Sequence, residues 1–280
     1  MFDYFVNDYN PSPRLVTAIR PADPGFVRRH LPYGTRVTGT LPDNLTELHR
    51  QQTSKYWASR RRQARNFCQR YGPMTFRIVD QAVDLRLALP QVQQLFTARW
   101  SGRYVSLPWT TLSGFEPYAT AMIQLAQQGG GFLAVLEGNG QLLSFGYCLT
   151  ANSACYVYQL AATRDERYRP YAPGLHLTDE LVRYLVVNGY REIDFGVGDY
   201  EYKRRWAGER SPVYLRLEER TNISGHLSLA AAWLFYTAKL YVQFRNRRLR
   251  AVAIRVLRIR RHRHRCPFRR PSDLRRVGLM

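Results

Sequence analysis

The stretch from Ile193 to Trp206, Ile-Asp-Phe-Gly-Val-Gly-Asp-Tyr-Glu-Tyr-Lys-Arg-Arg-Trp, constrains the fold more than any other part of the chain. Arg191 to Phe195 reads as a strand. Gly196 and Gly198 then bend the chain, because a residue without a Cβ enters conformations that others resist. A short helix-like run follows, carrying Tyr202, Lys203 and Trp206. Asp194 and Asp199 flank the bend, so two carboxylates, a tyrosine and a lysine fall within a dozen residues. Strand ends followed by glycine turns are where α/β folds often place chemistry. The same pattern also fits a plain strand-turn-helix whose charges are solvated.

The elements around this stretch set its context. Residues 1 to about 45 are rich in Pro and Gly, with short extended candidates at Leu15–Arg20 and Thr35–Gly39. Leu45 to Arg70 reads as helical: Ser54 is placed to cap a second helix, Trp57, Ala64, Phe67 and Tyr71 recur at helical spacing, and Gly72-Pro73 stops it. Arg60, Arg61, Arg62, Arg65 and Arg70 crowd that helix, as a solvated basic face or as contacts for an anion. Thr75 to Val79 is a strand candidate. A helix from Gln81 to Trp100 is expected to break near Pro90, since proline cannot continue the hydrogen-bond ladder. Phe115 to Gln128 is a second helix, ended by three glycines. Phe132–Leu136 and Leu142–Leu149 flank an Asn139-Gly140 hairpin signal, and Asn152-Ser153 turns the chain into Cys155–Ala161. A helix follows to Val187, ending at Asn188-Gly189, and Val213–Leu217 is the last strand candidate.

Composition limits the remaining possibilities. The chain of 280 residues carries 45% hydrophobic and 13% aromatic residues, enough for a sizeable core. Cys68, Cys148, Cys155 and Cys266 form no CxxC pair and no zinc-ligand spacing, so no metal site is expected and the thiols read as idle in a reducing compartment. Met1 to Phe5 opens neither a basic segment nor a long apolar one, which points to a cytoplasmic chain without a signal peptide. Net charge is +21, but Lys239 onward holds fourteen Arg and one Lys against Asp273 alone, a net +14 that leaves +7 elsewhere. In that tail Leu249, Val252, Val256 and Ile259 share one helical face and Arg247, Arg250, Arg255, Arg258 and Arg261 the other, while Ile254 and Arg260 break the pattern. Such a helix lies on an anionic membrane surface or packs on its own domain with arginines outward. Lys239 interrupts the preceding apolar run before it reaches the roughly 20 residues a membrane span needs. Arginine-rich tails also bind RNA, yet no recognisable nucleic-acid module accompanies this one.

The pattern Asp-Phe-Gly-x-Gly-Asp-x-x-Tyr-Lys-x-x-Trp, from Asp194 to Trp206, resembles the signature of GNAT-type acyltransferases of the cellulose-biosynthesis-associated branch. Those proteins resemble the Fem aminoacyltransferases of peptidoglycan. The resemblance covers roughly residues 54 to 220, and the order strand, two helices, three antiparallel strands is similar to the GNAT core. It implies an α/β (α+β) fold: a mixed, mostly antiparallel sheet flanked by helices, to which the residues after it add a basic helical tail. The chain then divides into an abbreviated, irregular 1–53, an acyltransferase domain 54–220, and a tail 221–280 with a disordered end.

By the same resemblance, the loop and helix start from Arg167 to His176 is where an acyl donor sits. A helix N-terminus suits a pyrophosphate, and Arg169, Pro173, Gly174 and Leu175 are the candidate donor-binding residues. Arg99 and Trp100 precede a loop that borders the acceptor cleft in the family. The implied reaction is transfer of an acyl group, acetyl from acetyl-CoA, to an amine or hydroxyl of a sugar or cell-envelope precursor. The acceptor must lose a proton while charge builds on the carbonyl oxygen. Asp199 is the candidate base with Asp194 behind it, Lys203 the candidate contact for acceptor phosphate or developing charge, and Tyr202 a candidate proton donor. Alternatives are a Fem-like transferase that takes aminoacyl-tRNA, or a degenerate GNAT-like module tethered to a membrane assembly or RNA. The expected location is cytoplasmic, with the tail at the inner membrane face.

Overall fold

The computed structural model describes residues 26–100 and 111–220, with Ile223, Leu227, Ala230, Ala231 and Leu234 beyond them; side chains are described between 35 and 211. The extended candidate at Leu15–Arg20 and the amphipathic pattern at 247–261 lie outside the described residues. Contacts divide the chain into one compact unit from Gly34 to Val213 and another made of Met1–Tyr33 and Tyr214–Met280. The first unit carries the site, and the description below is of that unit.

Its strands are β1 (Phe26–Thr40), β2 (Thr75–Val79), β3 (Gly131–Gly138), β4 (Gln141–Ala151), β5 (Ala154–Ala162), β6 (Glu192–Val197) and β7 (Glu209–Arg220), the first and last only in part. The helices are α1 (Leu45–Arg50), α2 (Ser54–Tyr71), α3 (Ala82–Trp100), α4 (Leu112–Gln127), α5 (Pro173–Val187) and the single turn α6 (Glu201–Arg204). The sheet runs β2-β3-β4-β5-β6-β1-β7. The pairs β2–β3, β3–β4, β4–β5 and β6–β1 are antiparallel, and β5–β6 is parallel. This is the mixed, mostly antiparallel GNAT-like sheet flanked by helices.

Alternation along β3 explains the layers, since successive side chains point to opposite faces of a strand. Phe132, Ala134 and Leu136 face a core with Trp57 of α2 and Leu177, Leu181 and Leu185 of α5. Leu133 and Val135 face the other core, with Leu85, Val92 and Phe96 of α3 and Phe115 and Met122 of α4. Both faces of β3 are therefore buried, as its almost wholly apolar sequence requires.

Three local readings are revised. The strand near Thr35–Gly39 extends to the full β1. The cap of α2 is Thr53 rather than Ser54, its hydroxyl accepting from the Tyr56 N–H at 3.2 Å. Finally, α3 runs through Pro90 without a break. Pro90 and Arg86, whose carbonyl loses its helical donor, both lie on the exposed side, where water can serve that carbonyl.

The loop that delivers the chain into α5 is anchored by Tyr168, which is fully buried. Its ring packs against Phe67 and Tyr71 at the end of α2, with centroids at 5.8 and 5.2 Å. Its hydroxyl accepts from the Asn139 side chain at 2.8 Å and from Gln141 at 2.5 Å, tying the loop to the β3–β4 hairpin. Tyr168→Phe should cost about 0.5–1.5 kcal/mol, since the exposed amides of Asn139 and Gln141 can turn to water, and Tyr168→Ala about 3–5 kcal/mol by adding a cavity. Denaturant unfolding checks both; no loss in Tyr168→Phe would show that the hydroxyl contributes nothing, and equal losses would show that the ring adds nothing beyond it.

Candidate active site

The site begins where β5 and β6 part. They pair in parallel only at Ala154–Glu192, Cys155–Ile193 and Tyr156–Asp194. Just past this point the β4–β5 register slips, Tyr147 facing Gln159 and Cys148 facing Val157, so Tyr158 is the extra residue of a bulge. Two parallel neighbours that separate after three pairs leave a wedge between them. The β5–β6 register ends at Tyr156, and the β5 main chain beyond it lines the wedge.

The β6 wall of the wedge is the glycine bend, and its shape is held by side chains. Gly196 (φ 65°) and Gly198 (φ 110°) are left-handed, and a Cβ on Gly198 would meet the Tyr200 ring at 2.6 Å. Asp194 uses Oδ1 to accept from the Gly196 N–H at 2.7 Å. Its Oδ2 accepts from Arg36 of β1, at 2.7 Å from Nε and 2.5 Å from the terminal nitrogen. Lys203 is turned inward from α6, only 5% exposed. Its Nζ donates to the carbonyls of Phe195 at 2.6 Å and Val197 at 2.8 Å, and reaches that of Gly196 at 3.5 Å. Burial lowers its pKa to about 8, against the raising effect of Asp194.

The expected site residues are thus brought together with different duties. Asp194 is spent on the bend. Lys203, expected to face the acceptor, instead meets main-chain carbonyls, because a buried ammonium needs acceptors and the bend supplies three. Asp199 is exposed and lies 3.2 Å from Arg204 Nε and 3.7 Å from Arg210 Nε. Tyr202 packs edge-on against Phe195 at 6.2 Å and parallel to Tyr200 at 6.0 Å. Burial pushes its phenol up to about 12, and Arg99 opposes that rise, which places the end of α3 beside Tyr202. Trp100 packs on Phe96 at 6.1 Å.

On the donor side, α5 starts at Pro173 after Ala172, whose φ of 48° is left-handed and whose side chain offers no cap. The N–H groups of Leu175 and His176 turn back to the Ala172 carbonyl. Gly174 packs so closely on β5 that an added Cβ would stand 3.0 Å from that of Ala162. Arg169 is exposed and pairs with Glu166 at 3.0 Å. An uncapped helix start beside the wedge fits a phosphate-bearing thioester, with Pro173 removing one of the usual N–H donors.

A polar seam between α2 and α5 was not foreseen. The Tyr56 hydroxyl donates to Asp179 at 2.5 Å, and Arg60 and Arg205 lie over the Tyr56 ring at 5.3 and 4.4 Å. Asp179 Oδ2 and His176 Nε2 are buried and make no hydrogen bond among the described residues. Burial raises Asp179 to about 6 and lowers His176 to about 4, with Arg60 and Arg183 the charges facing both. The available signal was His176, Asp179 and Arg183 at helical spacing in a helix whose other faces carry Leu177, Leu181, Val182 and Leu185.

Two outcomes follow from these contacts. Lys203→Met should lose about 2–4 kcal/mol in denaturant unfolding, since it leaves buried carbonyls without donors; a loss under about 1 kcal/mol would place the ammonium elsewhere. The seam sets a pH dependence. Asp179, raised from 3.8 to about 6, adds stability that is complete below 3.8 and lost as pH rises through 6. His176, lowered from 6.5 to about 4, adds stability that is present above 6.5 and lost as pH falls through 4. Between pH 4 and 6 the two slopes oppose each other. Relative to the parent, Asp179→Asn should therefore steepen the rise of stability with pH by about 1.4 kcal/mol per unit, and His176→Phe should do the reverse. Parallel curves for all three proteins would contradict the assignment.

A search of curated proteins gives no match. Among solved structures, the chain is similar to the C-terminal domain of a putative lysylphosphatidylglycerol synthetase from Agrobacterium fabrum (16% identity, 73% of this chain and 65% of that one, TM-score 0.46). It is also similar to FemX (13%, 69% and 65%, 0.47) and to the L-PGS of Bacillus licheniformis (13%, 74% and 66%, 0.43). The chain thus spans just under two thirds of the first two of these structures. Residues 54–204, more than half of the chain, match the family described as Acetyltransferase (GNAT) domain, and the chain belongs to that family of acyltransferases.

Proposed function

We propose that the protein transfers an acyl group, acetyl from acetyl-CoA, to an amine or hydroxyl on a sugar or cell-envelope precursor. The observation that carries this reading is the wedge between β5 and β6, with the Tyr158 bulge on one wall and the uncapped start of α5 beside it. The thioester, when bound, supplies the acyl carbon. The Gly174 N–H would meet its phosphates, Leu175 would lend its N–H by leaving the Ala172 carbonyl, Pro173 would fix the helix start, and Arg169 would be released from Glu166. A β5 amide beyond Tyr156 would face the carbonyl oxygen as charge develops there; one well-placed donor of this kind is worth about 10²–10³ in rate. Tyr202, kept protonated by burial, suits the role of proton donor. Asp199 is the exposed carboxylate beside the bend and the candidate base, while Lys203 and Asp194 hold the wall. Arg99, close to Tyr202, and Trp100 would border the acceptor.

A second donor, aminoacyl-tRNA, is favoured by one feature. Arg61, Arg62, Arg65 and Arg70 are exposed along α2, whose end packs through Phe67 and Tyr71 on the loop leading to α5. A basic row there would follow a nucleic-acid backbone. For the tail, the proposal is attachment to an anionic membrane face; among the described residues no helix is long and apolar enough to cross a membrane.

The test of the donor is thermal stabilisation. Acetyl-CoA at saturation should raise the melting temperature of the parent. Gly174→Glu, which adds charge and bulk where a Cβ already meets Ala162, should remove that rise. No stabilisation of the parent by any acyl-CoA, with stabilisation by an aminoacylated tRNA, would replace the first donor by the second.

A further inference from the structure

We infer that the surface beside α6 is a phosphate-binding subsite, which Asp199 and Glu201 occupy as internal counter-ions when no substrate is present. A depression of about 550 Å³ there is lined by Gln52, Glu201, Arg204, Arg205 and Arg210. That volume suits a phosphate with part of the molecule that bears it. Three arginines, six to twelve residues past Gly198, therefore line one opening.

Their partners are poor matches for them. Asp199 approaches Arg204 and Arg210 most closely through Nε, at 3.2 and 3.7 Å, the second longer than a hydrogen bond. Glu201, 83% exposed, holds one terminal nitrogen of Arg205 at 3.0 Å. Exposed pairs of this kind contribute little and exchange readily. Arg205, by contrast, is fixed in place: it lies 4.4 Å over the Tyr56 ring, its carbonyl accepts from Gln52 at 2.8 Å, and its Nε is buried with no hydrogen bond among the described residues. A rigid guanidinium flanked by two loosely held ones suits a tetrahedral dianion, whose several oxygens accept paired N–H donors; a single carboxylate would engage only one such fork. An anion that takes Arg204 and Arg210 also releases Asp199, the candidate base. The inference deepens the acyltransferase reading and rests on it for that consequence alone.

The phosphate has two sources, the acyl donor or a phosphate-bearing acceptor, and calorimetry on the full chain separates them. Inorganic pyrophosphate should bind the parent. Arg204→Gln/Arg210→Gln should weaken it at least tenfold, while Arg61→Gln/Arg62→Gln, the same charge loss on exposed α2, should change it less than twofold. Asp199→Asn, which removes the competing carboxylate, should tighten it severalfold. If Arg204→Gln/Arg210→Gln also weakens CoA tenfold and spares pantetheine, the phosphate is the donor's; if CoA is unaffected, it belongs to the acceptor. Equal losses in the two double variants, no pyrophosphate binding by the parent, or weaker binding by Asp199→Asn would each overturn the inference. Because pyrophosphate binding needs no acyl donor, this result stands apart from the acetyl-CoA test.

Discussion

The end of β6 is the constraint on which the rest of the site depends. Two glycines let it bend, but glycine freedom alone gives a loose turn. The conformation is selected by a buried pair, Arg36 with Asp194, side chains 9% and 13% exposed, and by Lys203 on the carbonyls of residues 195 to 197. Removing one member of such a pair typically costs about 3–5 kcal/mol, because the other charge is left buried alone. The bend is thereby a rigid wall and not a hinge.

Several features follow from that wall. β6 parts from β5 after three pairs, and the Tyr158 bulge turns the facing strand at the same level. With its ammonium drawn inward, Lys203 fixes the rotation of α6. Tyr202 then falls against Phe195 and near Arg99, while Arg204 and Arg205 face the depression on the other side. Trp206, next in the chain, packs on Trp57 at 5.9 Å and on Tyr56 at 6.3 Å, which brings α2 and its polar seam to the same corner. One short segment thus connects the wedge, the candidate acceptor border and the basic depression.

Much of the fold was legible in the sequence. The turns at Asn139-Gly140 and Asn152-Ser153, the stop at Gly72-Pro73 and the strand-helix-helix-strand order carry local signals, and the structure places each where expected. Pro90 misled because a local rule ignores exposure: the carbonyl it orphans faces water. The site was legible as a set of residues but not as a set of contacts. Arg36 lies 158 positions from Asp194, and no spacing links them. The direction of Lys203 depends on where the bend carbonyls point, which is decided only after β6, β1 and α6 have assembled. Tyr56 and Asp179 are likewise 123 positions apart, although the polar stripe on α5 hinted that something buried needed them.

The central claim, that side-chain contacts and not glycine flexibility set the β6 bend, is open to residue-resolved amide hydrogen exchange on the full chain. Gly196 N–H is held by Asp194 and Gly198 N–H by the Thr35 carbonyl at 2.8 Å, so both should be strongly protected. In Arg36→Gln their protection should drop by at least tenfold more than that of the β3–β4 ladder. Fast exchange at Gly196 and Gly198 in the parent, or a uniform loss across the sheet in Arg36→Gln, would contradict it.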